Sequence, residues 1–160
     1  MTDAAHPPED PDRARRLLES HQFSRGLDPD EIAVLAESAT LSDFDAGAVI
    51  FEAGDTADTF YLVRSGLVAL RVDTGGTVPR TIQQIAEGSA LGWSWLFEPY
   101  IWQFSAAAIT PVRTISIDAP QLRASFEANP ACGYHVLERV SHIMAERLNA
   151  TRHQVLNLVR

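Results

Sequence analysis

"AGAVIFEAGDTADTFYLVRSGLVAL" occupies residues 46–70 and decides how the rest of the chain is read. Within it Phe60, Leu62 and Arg64 alternate with Tyr61, Val63 and Ser65, the two-residue period of a strand with one face turned inward. Gly47, Gly54-Asp55 and Gly66 interrupt the apolar runs so often that only short strands fit between them. Glycines at such corners permit tight turns, and the apolar residues between them fill an interior.

The same rhythm extends in both directions. Short β runs are predicted at 41–43, 49–52, 59–65, 67–73, 80–85 and 113–118, and Thr74-Gly75-Gly76 is a hairpin signal. Strands this short, with turns about every ten residues, predict a β-barrel or jelly roll rather than an α/β sheet. Helices flank this β region. One is predicted over 13–24 and another over 28–38, where Asp28 caps, Pro29 suits the first turn and Glu31 completes a capping box. After the strands, a helix is predicted over 120–128, and Asn129-Pro130 restarts the chain as cap and first-turn proline. The last helix is predicted to run from 130 almost to 160. Its apolar stripe of Val136, Leu137, Val140, Met144, Leu148, Val155 and Leu156 has roughly heptad spacing. That stripe is longer than one small barrel would cover, so Val136, Val140, Met144, Leu148 and Val155 are predicted to form a homodimer seam. The organisation expected is a disordered acidic lead at 1–12, a β-barrel with N-terminal helices at 13–128, and a dimerisation helix at 129–160.

Composition narrows the function classes. A chain of 160 residues with 46% hydrophobic and 21% charged residues suits one globular domain. The formal charge is −8 and all 13 basic residues are Arg, which disfavours broad nucleic-acid binding. The single cysteine, Cys132, cannot form an internal disulfide and fits a reducing cytoplasm. No apolar run reaches membrane-spanning length, and the acidic start is unlike a signal peptide. No catalytic nucleophile-base set, P-loop or zinc-protease motif is present, so a non-catalytic protein is expected.

Residues 46–70 strongly resemble the cyclic-nucleotide-binding domain of the cAMP-receptor-protein type. The family pattern of a Gly, an Ile, a Gly-Asp turn, an aromatic-Tyr-x-Val strand and a further Gly falls on Gly47, Ile50, Gly54-Asp55, Phe60-Tyr61-x-Val63 and Gly66. The resemblance continues more loosely over about 25–160. "ERLNATRHQVLNL" (146–158) is similar to the family's dimerising C-terminal helix, and Gly88, Gly92 and Phe97 fall in its ligand cassette. It implies a jelly roll (a double-stranded β-helix) with flanking helices, and a ligand lying between barrel and C-terminal helix. The family's regulators carry a helix-turn-helix domain just after that helix. This chain ends at Arg160, so it is expected to act as a stand-alone regulatory module without a DNA reader.

The cassette departs from its pattern. Gly92 matches the backbone glycine, but Trp93 stands where a Glu binds the ribose and is followed by Ser94. The phosphate-gripping Arg falls on Gln103 or Phe104, and Ser105 matches the phosphate-binding Ser. No Arg occurs between Arg80 and Arg113, so no small alignment shift restores it. Thr151 matches the helix Thr that contacts the base, while the neighbouring Ser is replaced by Arg152. Loss of the phosphate Arg costs a few kcal/mol, on the order of 10²-fold in affinity. Ordinary cyclic-nucleotide binding is therefore disfavoured.

An aromatic cluster stands in place of the anion grip: Trp93, Trp95, Phe97, Tyr100, Trp102 and Phe104. Three readings stay open. The aromatics fill the pocket, or they reshape it for a small apolar or aromatic ligand, or they face a protein effector. Arg152 could supply a charge to such a pocket, although a solvated helix residue is the simpler expectation. Some relatives bind haem, and Cys132-x-x-His135 with His142 has a suggestive spacing. Without a second Cys or a tight His cluster, neither haem nor another metal cofactor is expected.

Overall fold

A computed structural model describes residues 11–159. The acidic lead expected over 1–12 lies outside them, except that residues 11–12 already belong to the first helix. The order is α1 (Pro11–Ser20), a 3-10 turn (Gln22–Ser24), α2 (Pro29–Ala36), β1 (Ala39–Phe44), β2 (Val49–Phe51), β3 (Thr59–Ser65) and β4 (Val68–Val72). There follow β5 (Arg80–Ile85), β6 (Ser105–Ala108), β7 (Val112–Asp118), α3 (Ala119–Ala128) and α4 (Pro130–Leu158). The strands form two antiparallel sheets, β1-β7-β3 and β2-β6-β4-β5. This is the jelly roll with flanking helices that the glycine-punctuated pattern predicts.

Two local outcomes differ from the sequence reading. The helix expected over 13–24 breaks at His21, which caps the following 3-10 turn: its Nδ1 accepts from the Phe23 N–H at 3.0 Å. The second is β6, Ser-Ala-Ala-Ala, which carries none of the β-branched or aromatic residues that mark a strand. It forms because β2 and β4 pair with it on either side, and its alanines are buried between the sheets.

The core joins the two sheets. Phe60 and Trp95 are both 0% exposed and stack with ring centroids 4.4 Å apart. Each such ring contributes about 4–6 kcal/mol of apolar transfer. That outweighs the roughly 1–3 kcal/mol lost because the buried Trp95 indole N–H has no partner. Gly66, at φ 94°, turns the chain between β3 and β4. A Cβ there would strike the Pro111 carbonyl oxygen and lie 2.9 Å from the Val112 Cα, so the sharp corner requires glycine.

Two helix starts follow the predicted caps at Asp28 and Asn129, and a third cap, at α3, was not foreseen. Asp28 and Glu31 form the reciprocal capping box, Asp118 caps α3, and Asn129 caps α4. The first half of α4 is then fixed to the rest of its own chain. Cys132, Val136 and Val140 are buried in the core at 0%, 0% and 2% exposure. His135 Nδ1 meets the buried Glu31 Oε2 of α2 at 2.7 Å. Arg139 donates to the Phe23 and Gln22 carbonyls, both at 3.0 Å. This corrects the predicted seam: Val136 and Val140 are core residues, because α3 and the N-terminal helices cover that side of α4. Met144 is half-buried, whereas Leu148, Val155 and Leu156 are 52%, 53% and 60% exposed. In the first half of α4 Tyr134 and Leu137 are exposed as well, but most of the unpartnered apolar surface of the helix lies in its second half.

Candidate functional site

A cavity of about 520 Å³ lies between the four-stranded sheet, the irregular segment 91–104 and the second half of α4. The sheet contributes Phe51, Leu70, Ile82 and Gln83. The segment contributes Leu91, Gly92, Trp93, Ser94, Trp102, Gln103 and Phe104, and α4 contributes Met144, Ala145, Arg147, Leu148 and Thr151. A second cleft of about 530 Å³, near Arg64, Glu87 and Arg113, is more open and lined by polar groups of both signs. The apolar cavity has the form of a small-molecule site: apolar walls with a few convergent polar groups.

The aromatic segment divides its tryptophans among three tasks. Trp95 belongs to the core. Trp102 stacks on Phe51 at 3.8 Å and 9°, joining core to cavity. Gly92 permits this packing, since a Cβ there would sit 3.1 Å from the Trp102 ring. Trp93 stands in the cavity wall, and the Arg147 guanidinium lies 5.2 Å from its ring centre. Tyr100, at φ 56°, holds a turn, with its N–H donating to the Phe97 carbonyl and its carbonyl accepting from the Ala57 N–H. The Arg123 guanidinium of α3 covers the Tyr100 ring at 3.8 Å and also donates to the Trp95 carbonyl, so packing holds a backbone conformation that costs energy. Phe97, Ile101 and Phe104 remain partly exposed.

Of the residues expected at the site, Gly92, Trp93, Ser94, Gln103, Phe104 and Thr151 do line the cavity. Ser105 does not. It opens β6, and its Oγ accepts from the Ala53 N–H at 3.0 Å. Arg152 is exposed on the helix surface. The Gln103 amide donates to the Ile101 carbonyl at 3.2 Å. Met144 and Leu148, expected at the dimer seam, also line the cavity.

The residue that sequence reasoning missed is Arg147. It is only 9% exposed, and its Nη2 donates to Ser89 Oγ at 3.1 Å and to the Ala90 carbonyl. Its Nη1 is buried with no partner. Burial pushes its pKa down to about 10, partly opposed by the negative charge of Glu146. Among the described residues, no Asp or Glu lines the cavity, so Arg147 is the one charged side chain among those in its wall. A signal for it was present. Arg147 lies four residues before Thr151, one turn earlier on the same helix face, whereas Arg152 is displaced by about 100°.

The Cys132-x-x-His135 spacing leads elsewhere. His135 pairs with Glu31, and the buried Cys132 thiol has its pKa pushed up to about 11 by desolvation and by the charges of Glu31 and Asp28. Among the described residues, no three His, Cys, Asp or Glu side chains gather as a metal site. No described helix is long and apolar enough to cross a membrane.

The chain is similar to known proteins across this whole region. It is 28% identical over 137 residues to the CRP-like cAMP-activated global transcriptional regulator of Mycobacterium tuberculosis, covering 84% of this chain and 58% of that protein. It therefore spans somewhat over half the length of this relative. A Geobacter metallireducens crystal structure, provisionally assigned as a cyclic nucleotide-binding protein, superposes with a TM-score of 0.74 at 28% identity, covering 88% of this chain and 98% of that one. The sensor domain of the transcriptional regulator DNR from Pseudomonas aeruginosa has the same fold, with a TM-score of 0.67 at 21% identity over 87% of this chain and 93% of its own. The family profile described as the cyclic nucleotide-binding domain matches residues 41–129. The β roll, the cavity beneath α4 and this match lead to one conclusion: the chain belongs to the cyclic nucleotide-binding domain family.

Proposed function

We propose that this domain is a non-catalytic sensor that holds a small apolar or aromatic molecule beneath α4 and passes its occupancy to a homodimer partner through that helix. The observation that carries the reading is the cavity itself. Its apolar volume is walled on one side by the part of α4 that also exposes Leu148, Val155 and Leu156. Ligand and dimer seam thus share one element, and a small shift of α4 would reach both.

The ligand is not expected to be a cyclic nucleotide bound in the family's usual way. Trp93 replaces the ribose-binding Glu, Gln103 and Phe104 replace the phosphate Arg, and Ser105 is engaged with Ala53. The single buried thiol supports a reducing compartment, the cytoplasm. Native mass spectrometry of the purified protein, followed by calorimetry with cAMP and cGMP, tests the reading. A co-purifying small molecule together with no nucleotide binding at tens of micromolar supports it. A micromolar or tighter constant for cAMP overturns it.

A second reading rests on the patch of Phe97, Ile101 and Phe104 beside the cavity, which suits an effector protein. In that case the protein purifies empty, and mutating the patch abolishes partner capture while leaving the dimer intact.

A further inference from the structure

We infer that the molecule held in this cavity carries an acid group, and that Arg147 is the residue that reads it. This rests on the sensor reading above and specifies its ligand: an aromatic or similarly flat apolar body bearing a single anionic group, such as a carboxylate or sulfonate.

The argument starts from an unbalanced charge. Arg147 is nine-tenths buried, yet among the described residues no carboxylate lines the cavity, and Glu146, the acid whose charge acts on it, is exposed on α4. A buried cation is tolerated when it is paired and fully hydrogen-bonded, and is costly otherwise. The protein supplies only part of that compensation. Nη2 is engaged by Ser89 and Ala90, and the guanidinium lies beside Trp93, which together fix the plane of the group. Nη1 is buried without a hydrogen-bond partner, and Arg147 is one of the residues that line the cavity. An orphaned N–H on a fixed guanidinium is half of a charge-assisted bond, and an acid oxygen supplies the other half.

The rest of the cavity selects the body of the ligand. Trp93, Trp102 and Phe51 supply apolar lining, and among the lining residues only Ser94, Gln83, Gln103 and Thr151 add neutral polar groups. A neutral apolar ligand would cover Arg147 and strand its charge further from water. A multiply charged ligand would bring anions that nothing else in the wall can balance. One negative charge matches one cation.

A matched pair of fluorescent probes tests this: 8-anilinonaphthalene-1-sulfonate and N-phenyl-1-naphthylamine, which share a ring skeleton and differ by the sulfonate. Energy transfer from the tryptophans reports binding close to Trp93 and Trp102. In the wild-type protein the sulfonate probe is expected to bind roughly 10–100-fold more tightly than the neutral one, the range of a charge-assisted hydrogen bond. Arg147→Met should remove that preference while neutral-probe affinity stays within about threefold, and Arg147→Lys should retain part of it. Equal wild-type affinities for the two probes overturn the inference and leave the sensor pocket standing. Failure of both probes to bind overturns the pocket reading and the inference with it. The wild-type comparison decides the matter even if Arg147→Met does not fold.

Discussion

His21 Nδ1 accepts the Phe23 N–H, so the proton of the neutral ring sits on Nε2 and donates to the Val63 carbonyl at 2.8 Å. One imidazole thereby ties the 3-10 turn to β3. Protonation would put an N–H where Nδ1 must accept. Burial, chiefly, and the nearby Arg64 hold the pKa below the usual 6.5, against the raising effect of the Val63 bond. Because the folded-state pKa is the lower one, the contribution is intact above about pH 6.5 and is lost as pH falls toward the depressed value. His21→Gln is expected to cost about 1 kcal/mol at pH 7.5, a fall in Tm of about 2–4 °C. Its disadvantage should shrink between pH 7.5 and 5, as thermal melts across that range would show. A constant gap would mean that His21 does not titrate in this interval. Nothing in the sequence marked His21 for this role, because its partner carbonyl lies 42 residues away and only the fold brings the two together.

At the scale of the element, α4 is two helices in one. Its first half is a core helix held by Val136, Val140, Arg139 and His135, and its second half presents Leu148, Val155 and Leu156 to solvent. The sequence showed one continuous stripe because an apolar side chain has the same periodicity whether its partner is its own barrel or another copy. What separates the halves is the covering by α3 and the N-terminal helices, a tertiary fact. The same limit explains β6, whose alanines show no period. Most of the other strands were legible because glycine-containing turns lie beside them, and β7 because Pro111 and Asp118-Ala119-Pro120 frame a β-branched run. In the cassette, the replaced positions Trp93, Gln103 and Phe104 could be placed from the resemblance, but the buried Arg147 that lines the same cavity sits on a different element and was overlooked. The division of α4 has a direct consequence. Val155→Ser with Leu156→Ser should weaken self-association on the order of 100-fold in sedimentation experiments without lowering the Tm of the monomer. Val136→Ala should do the reverse, costing roughly 2 kcal/mol of stability with the seam intact. A wild-type protein that sediments as a monomer at tens of micromolar would remove the basis for the seam.

On the scale of the whole molecule, the question is whether the cavity and the exposed helix can communicate. Leu148 connects them, since it lines the cavity and is also half-exposed on the unpartnered part of α4. Arg147, its neighbour, ties the same turn to Ser89 and Ala90 on the roll. A ligand that pairs with Arg147 would act on the turn where roll, cavity and proposed seam meet, while the first half of α4 stays anchored to Glu31, Gln22 and Phe23. Any such coupling must be reciprocal. If occupancy tightens the dimer by some factor, dimerisation must tighten ligand binding by the same factor. Coupling free energies between sites are typically about 1–3 kcal/mol, so a change of roughly fivefold or more in the dimer constant is expected when the cavity is saturated with the anionic probe. The direction is set by whether the bound probe moves Leu148 toward the seam or away from it. Sedimentation across a dilution series, with and without probe, gives one factor, and titration of probe into dilute and concentrated protein gives the other. Equal factors different from one would establish a sensor whose output is its own association. A dimer constant indifferent to occupancy would separate pocket from seam and leave α4 as a scaffold helix that happens to border a cavity.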